Sequence, residues 1–383
     1  MAAATKIKLS LVLLFSASLW FGGSMAGRAD ASAVNAEPFA FTPPLGIPAD
    51  VWAYYIPKDN PLTQAKVQLG RELFFDKRLS ADGSVSCASC HDPTFAFTDG
   101  KKVAEGIAGK RGPRNSPTLL NAMFNSSQFW DGRADSLEAQ AIMPLTNPIE
   151  MGNASHEQVI ARLREIPEYA RGFKEVFDGP VTIGSLAKAL AAFERTLVSG
   201  NSPFDRYIAG DRAAMGDAAL RGLGVFRGRG RCTVCHSINP SFPFLTDQNY
   251  RNTGVAAAFP GFDGLLRRAI ELARGDAASE IERLGNEQGG AELGRFLITG
   301  NSLDIGAYRT PSLRNVELTA PYFHDGSAAT LLDVVKFYVK GGIDNPAHDW
   351  ELQPVPLTDE EQADLVEFLK SLTSDEARRT ASQ

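Results

Sequence analysis

The sequence predicts a mainly α protein made of two cytochrome c-like units, each organised round one covalently held haem. Three observations lead there. The pentapeptide Cys87-Ala88-Ser89-Cys90-His91 returns once, as Cys232-Thr233-Val234-Cys235-His236. Apolar residues elsewhere recur at helical spacing, and no stretch is rich in strand formers. The length of 383 residues allows two or three domains, and the two pentapeptides stand far enough apart for one each.

Cys-x-x-Cys-His is the attachment signature of a c-type haem. The two thiols add across the vinyl groups at one porphyrin edge, and the adjoining histidine reaches the iron from the proximal side. A lone Cys-x-x-Cys would also suit a redox dithiol or half a zinc site. Here two copies, each followed directly by His, use all 4 cysteines and leave none for a disulfide or a zinc knuckle. The haem reading therefore prevails.

A hydrophobic content of 44% with 22% charged residues is that of a globular protein with a sizeable core. The formal net charge of −6 gives no support to nucleic-acid binding and suits a basic partner or a small neutral substrate. At the N-terminus, Lys6 and Lys8 precede the apolar run Leu9 to Phe21, and small residues lead to Ala29-Asp30-Ala31. Residues 1–31 read as a secretory signal peptide, with an uncleaved membrane anchor as the alternative. A periplasmic location follows, because c-type haem attachment is completed outside the cytoplasm.

In chain order, residues 32–60 carry many prolines and aromatics and read as an extended N-terminal arm lying over a domain. Residues 61–205 form the first cytochrome c-like unit and 206–383 the second. Helices are expected over Thr63–Phe75, Ser136–Ala141, Glu157–Ile166, Ile183–Leu197, Ala213–Phe226 and Asp359–Leu372. The last begins with Thr358 and Glu361 at capping-box spacing. The Gly-, Lys- and Pro-rich loop Asp92–Pro117 reads as irregular, and residues 260–293 as a charged, helix-prone, peripheral insertion.

The second axial position of each iron separates an electron carrier from a catalyst. Of the 5 histidines, His91 and His236 are committed, which leaves His156, His324 and His348. Met123, Met143 and Met151 lie between the motifs and Met215 precedes the second, but no methionine follows Met215. Nothing C-terminal to the second haem can give it a thioether. Phenolate is the other option there, from Tyr308, Tyr322 or Tyr338, although each is as readily a core or surface tyrosine. The loop Asp92–Pro117 contains neither His nor Met, so the first iron is a candidate for open, peroxide-binding chemistry. Glu150 is a candidate acid/base and Gln140 a candidate hydrogen-bond donor; a capping or surface carboxylate is the plainer reading of Glu150.

Several further motifs carry a family resemblance. Ser86-Cys-Ala-Ser-Cys-His91, Gly112-Pro-Arg-Asn-Ser-Pro117, Phe129-Trp-Asp-Gly-Arg-Ala134, Pro311-Ser-Leu-Arg-Asn315 and Thr319-Ala-Pro-Tyr-Phe-His-Asp-Gly326 occur in that order. Together they resemble the bacterial di-haem cytochrome c peroxidase/MauG superfamily, over about residues 60 to 372. The resemblance implies two haem domains packed with a calcium ion and a tryptophan between them. Trp130 would relay electrons or holes between the irons. Asn115 would bind calcium through its side chain, and Thr319 and Pro321 through their carbonyls, an all-oxygen set that suits a hard cation. Gln140 and Glu150 would flank the peroxide-reactive haem of His91, and the haem of His236 would be six-coordinate.

Two departures shift the expected activity. Family peroxidases carry a capping His in the loop that here reads Gly106-Ile107-Ala108-Gly109-Lys110-Arg111. Where they place a Met ligand to the second haem, this chain has Tyr338, as MauG-like proteins do. Both point to a MauG/MbnH-like oxidase that uses hydrogen peroxide to reach a high-valent two-iron state and oxidises Trp or Tyr of a partner protein. The alternative is a cytochrome c peroxidase that reduces peroxide to water with electrons from a small cytochrome c or cupredoxin. A plain di-haem electron carrier is a third reading, but it requires a sixth ligand at the first iron.

Overall fold

Hydroxyl caps set where the long helices begin. Thr63 accepts a hydrogen bond from the Lys66 amide and starts α1 (Gln64–Phe75). Ser136, Ser155 and Thr182 do the same for α2 (Leu137–Thr146), α3 (His156–Glu165) and α5 (Ile183–Glu194), while a proline at the first turn opens α4 (Pro167–Phe177). In the second half α6 (Asp217–Arg227), α7 (Phe262–Leu272), α8 (Ala278–Gly285), α9 (Leu331–Val339), α10 (Asp359–Lys370) and α11 (Asp375–Ala381) follow. Thr358 and Glu361 form the expected capping box on α10. The computed structural model describes residues 37–275 and 277–382. The segment read as a signal peptide lies outside the described residues.

The same helix crossing occurs twice. α1 packs across α5, and α6 across α10. Each crossing pivots on a glycine: a Cβ on Gly70 would meet the Ala189 carbonyl at 1.9 Å, and one on Gly222 the Asp364 carbonyl at 1.9 Å. Beside each glycine an aromatic pair closes the gap. Phe74 meets Phe193 at 5.1 Å and Phe226 meets Phe368 at 4.9 Å, both tilted by 57°. Phe74, Phe226 and Phe368 are fully buried. Each crossing is followed or preceded by the same order of parts: glycine helix, phenylalanine, Cys-x-x-Cys-His, distant closing helix. The internal repeat inferred from two pentapeptides thus extends to the packing.

Around the two crossings lie two cores. One joins α1 to α5 through Leu73, Phe74, Leu145, Leu163 and Leu190; the other joins α6, α9 and α10 through Leu223, Phe226, Val335 and Phe368. The halves interlock. Phe244, beyond the second pentapeptide, stacks on Phe124 of the first core at 4.1 Å. Arg314 grips Asp205 in a buried bidentate pair, and the Ser199 hydroxyl reaches Asn315 and Ser374.

Two expectations need correction. The charged segment 260–293 is not merely peripheral. It splits into α7 and α8, whose apolar faces build a third core with Phe296, Ile305 and Tyr308, against which Trp130 packs. Its high charge sits on the outer faces of those helices, as the Arg268–Glu287 and Arg283–Glu280 pairs illustrate. This excursion leaves and returns through a two-rung antiparallel ribbon, β1 (Tyr250–Arg251) against β2 (Tyr308–Arg309), with Tyr250 opposite Arg309. The N-terminal arm is not extended throughout either. Residues 49–54 coil into a short helix, and Trp52 packs on Phe41 at 5.0 Å while Phe39 bonds back to Leu62. Sequence periodicity also missed α4 and α9, both short. Among the described residues no helix is long and apolar enough to cross a membrane.

Candidate active site

Each pentapeptide is a tight turn that points its histidine inward. Ser86 and Ser89 cap the turn Cys87–Cys90 reciprocally, and the His91 amide bonds to the Cys87 carbonyl at 3.0 Å. The His236 amide makes the equivalent bond to Cys232 at 2.9 Å. Both rings are oriented alike through Nδ1: His91 donates to the Phe97 carbonyl (3.1 Å) and His236 to the Leu245 carbonyl (2.8 Å). That arrangement fixes the tautomer and leaves Nε2 free for a metal. Burial pulls both histidines toward the neutral form, which is the ligating one.

Burial pushes Cys87 and Cys232 up to about 12 and Cys90 and Cys235 up to about 11, so the free thiols stay protonated near neutral pH. No disulfide joins them, and among the described residues no cluster of His, Cys, Asp and Glu is arranged to hold a metal ion. Paired thiols in apolar surroundings, each beside an oriented imidazole, fit a thioether-linked haem.

A cavity of about 270 Å³ opens over the second pentapeptide. Cys232, Cys235 and His236 line it, with Tyr338 from α9 and with Trp130 and Asn115 from the first half. Among the described residues nothing hydrogen-bonds the Tyr338 hydroxyl, and burial raises its pKa above that of free phenol. Tyr338 and the His236 ring line the same chamber. Tyr308 and Tyr322 are spoken for: their hydroxyls donate to the Ala291 and Val316 carbonyls, both at 3.0 Å. No methionine lines the cavity; Met123, Met151 and Met215 are core residues and Met143 is exposed.

Trp130 stands at the meeting of the halves. Its indole N–H donates to the Asn115 carbonyl (2.9 Å), and its own carbonyl accepts from the Arg309 amide (2.8 Å). Asn115 is buried, and its side-chain amide bonds to the Lys101 carbonyl while its backbone amide bonds to His324. The Asn115 side-chain oxygen has no donor among the described residues. Thr319 and Pro321 share the same cavity wall, so the three residues expected at a cation site lie on one surface. His324 is buried between Glu292, whose carboxylate takes its Nε2 at 2.8 Å, and the Tyr308 ring stacked on it at 3.6 Å. His156 bonds to the Ile142 carbonyl, and His348 Nε2 is buried without a partner.

Gln140 and Glu150 belong to the other half. Gln140 lies on α2, half-buried, and Glu150 follows the loop that ends it. Burial raises the Glu150 carboxyl above its ordinary range, offset in part by Arg133. The loop without histidine packs on this residue, with the Ile107 amide on the Glu150 carbonyl at 2.9 Å. Aliphatic Ile107 can offer no axial ligand there. Sequence reading missed Asp99, a buried carboxylate bonded to Ser116 whose proton burial stabilises, and Glu194, buried in the last turn of α5 and pushed up to about 8. It also missed Glu292 and Arg309. None had a sequence signal, because a charged residue is ordinarily exposed and its type alone does not announce burial.

Two Cys-x-x-Cys-His turns with oriented imidazoles, and a cavity over the second, have the features of a di-haem c-type cytochrome. Comparison with known proteins narrows the class. The family model for di-haem cytochrome c peroxidase matches residues 64–213. The methylamine utilization protein MauG of Methylorubrum extorquens is 40% identical over 329 residues, covering 85% of this chain and 83% of that protein. The cytochrome-c peroxidase IdrP1 of Denitromonas iodatirespirans is 39% identical over 357 residues, 92% of this chain and 90% of that one. The crystal structure of a MauG-like protein associated with microbial copper homeostasis superimposes with a TM-score of 0.70 at 32% identity, over 89% of this chain and 95% of the other. The chain belongs to the di-haem cytochrome c peroxidase/MauG family and is an oxidoreductase that acts on peroxide.

Proposed function

We propose that this chain is a MauG/MbnH-like, hydrogen peroxide-dependent oxidase that withdraws electrons from Trp or Tyr of a periplasmic partner protein. The observation that carries the reading is Tyr338, a phenol with no protein partner facing the cavity that holds His236. When bound, the haems supply the reduction of peroxide and store the resulting oxidising equivalents. Glu150, whose proton is retained by burial, shuttles a proton between peroxide oxygens, and Gln140 offers a hydrogen bond beside it. Trp130 conducts between the two sites through its place at the junction. Tyr338 would hold the second iron as phenolate, a bound metal offsetting the cost of deprotonating a buried phenol. Asn115, Thr319 and Pro321 hold calcium, two haem units span 61–205 and 206–383, and residues 1–31 direct export to the periplasm.

The second reading is a cytochrome c peroxidase fed by a small cytochrome c or cupredoxin, favoured by the 39% identity to such an enzyme. EPR and near-infrared absorption of the fully oxidised protein, before and after one equivalent of hydrogen peroxide, separate the two. The oxidase gives one high-spin and one low-spin ferric signal at rest, then a long-lived state in which both sites have changed. A protein inert to peroxide until half-reduced would be the peroxidase.

A further inference from the structure

The cavity wall carries four arginines; Arg231 is exposed, and of the other three two are neutralised. Arg314 is clasped by Asp205 at 2.8 and 2.9 Å. Arg251 bonds to Asp247, Asp349 and Glu351, each at 2.8 Å. Arg309 has no carboxylate. It is 7% exposed, its Nη1 donates to the Asn125 side-chain oxygen at 3.1 Å, and its Nε is buried with no partner. A guanidinium has five N–H donors and cannot shed its charge, so most of its hydrogen-bonding capacity is unmet. Burial pulls its pKa to about 10, which still leaves it cationic at neutral pH. An unpaired interior cation is among the costliest groups a fold can carry, and it calls for an anion in the adjoining space.

The backbone around Arg309 says which anion. β2 lies against β1, and the Thr310 carbonyl accepts from Thr246, the residue after the Leu245 carbonyl that orients His236. On its other side the Arg309 amide holds the Trp130 carbonyl. The residue is therefore fixed to the frame of the second haem site and to the inter-site tryptophan together. Resting on the two-haem reading, we propose that Arg309 forms charge-assisted hydrogen bonds to a propionate of the haem attached at Cys232 and Cys235. As a positioning residue it keeps that carboxylate ionised beside Trp130 and raises the potential of the second haem. A fixed positive charge favours the reduced, less positive iron, so its loss must lower the potential.

The test is spectroelectrochemical titration of both haems in holoprotein from pH 6 to 9, for wild type, Arg309→Gln and Arg309→Lys. In R309Q the second haem's potential falls and becomes pH-dependent, declining as pH rises through the freed propionate's titration. R309K, which keeps the charge, holds the potential near wild type and independent of pH. The first haem moves less than the second in both variants. Unchanged potentials in a fully haem-loaded R309Q overturn the proposal, as does a larger shift at the first haem. If R309Q does not accumulate, a pH-dependent drop in R309K overturns it and a wild-type potential there supports it. Haem content by pyridine haemochrome separates the premises: wild-type protein carrying fewer than two haems refutes the two-haem reading itself.

Discussion

Tyr338 concentrates the difference between two activities in one side chain. On the proposed reading, a phenolate from Tyr338 would lower the potential of the second haem. Tyr338→Phe should convert the low-spin ferric EPR signal to high spin and slow peroxide-driven oxidation of a partner at least about tenfold, on axial-ligand grounds. Glu150→Gln keeps the shape but cannot move a proton. Peroxide turnover should fall by about 10² to 10⁴, the range for loss of a general acid/base, measured by stopped-flow decay of the resting spectrum. Glu194 affects stability instead. Its carboxyl is pushed up to about 8 from an ordinary 4.5, so between those values the folded state binds the extra proton. Stability is then greatest below about pH 4.5 and declines through pH 8, at up to about 1.4 kcal/mol per pH unit. Urea titrations from pH 5 to 8 should show that Glu194→Gln flattens this decline.

The paired helix crossings are where element packing is least forgiving. At Gly70 and Gly222 the neighbour is backbone, which cannot turn aside as a side chain could. Gly70→Ala and Gly222→Ala should each destabilise by about 1–3 kcal/mol or more, the usual cost of overpacking, seen as a lower urea midpoint. Both crossings were legible in part. The helices over 63–75, 183–197 and 359–372 follow from apolar spacing, and the start of the last from Thr358 and Glu361 at capping-box spacing. The glycines were not legible as pivots, because a helical glycine looks the same whether it faces solvent or another backbone. α9 spans only 9 residues, few turns in which to establish a period.

At the scale of the whole molecule, Asn115 from one half and Thr319 and Pro321 from the other line the same cavity as Trp130, and the proposed cation would join them. Removing calcium with EGTA should lower the thermal midpoint and slow the peroxide reaction, and added calcium should restore both. If chelation leaves the melting curve unchanged, these three residues do not form a cation site. The two Cys-x-x-Cys-His motifs could be read directly, since covalent haem attachment demands an invariant spacing. Partners such as Glu292 for His324, or Arg309 for Trp130, could not. They join residues far apart in sequence, and only the folded chain supplies the proximity.

The two-rung ribbon has a consequence of a different kind. Because Tyr250 and Arg251 pair with Arg309 and Tyr308, the chain between them departs and rejoins at a single point, like a loop drawn from a closed purse. Its inner end is tied to the machinery by Ala291 and Glu292, and the apolar faces of α7 and α8 build the core on which Trp130 packs. Recoding of the charged outer faces of α7 and α8 leaves the spacing of the two haem attachments untouched. The fold therefore offers evolution a site at which this enzyme can acquire a new appearance to its surroundings while its chemistry stays fixed.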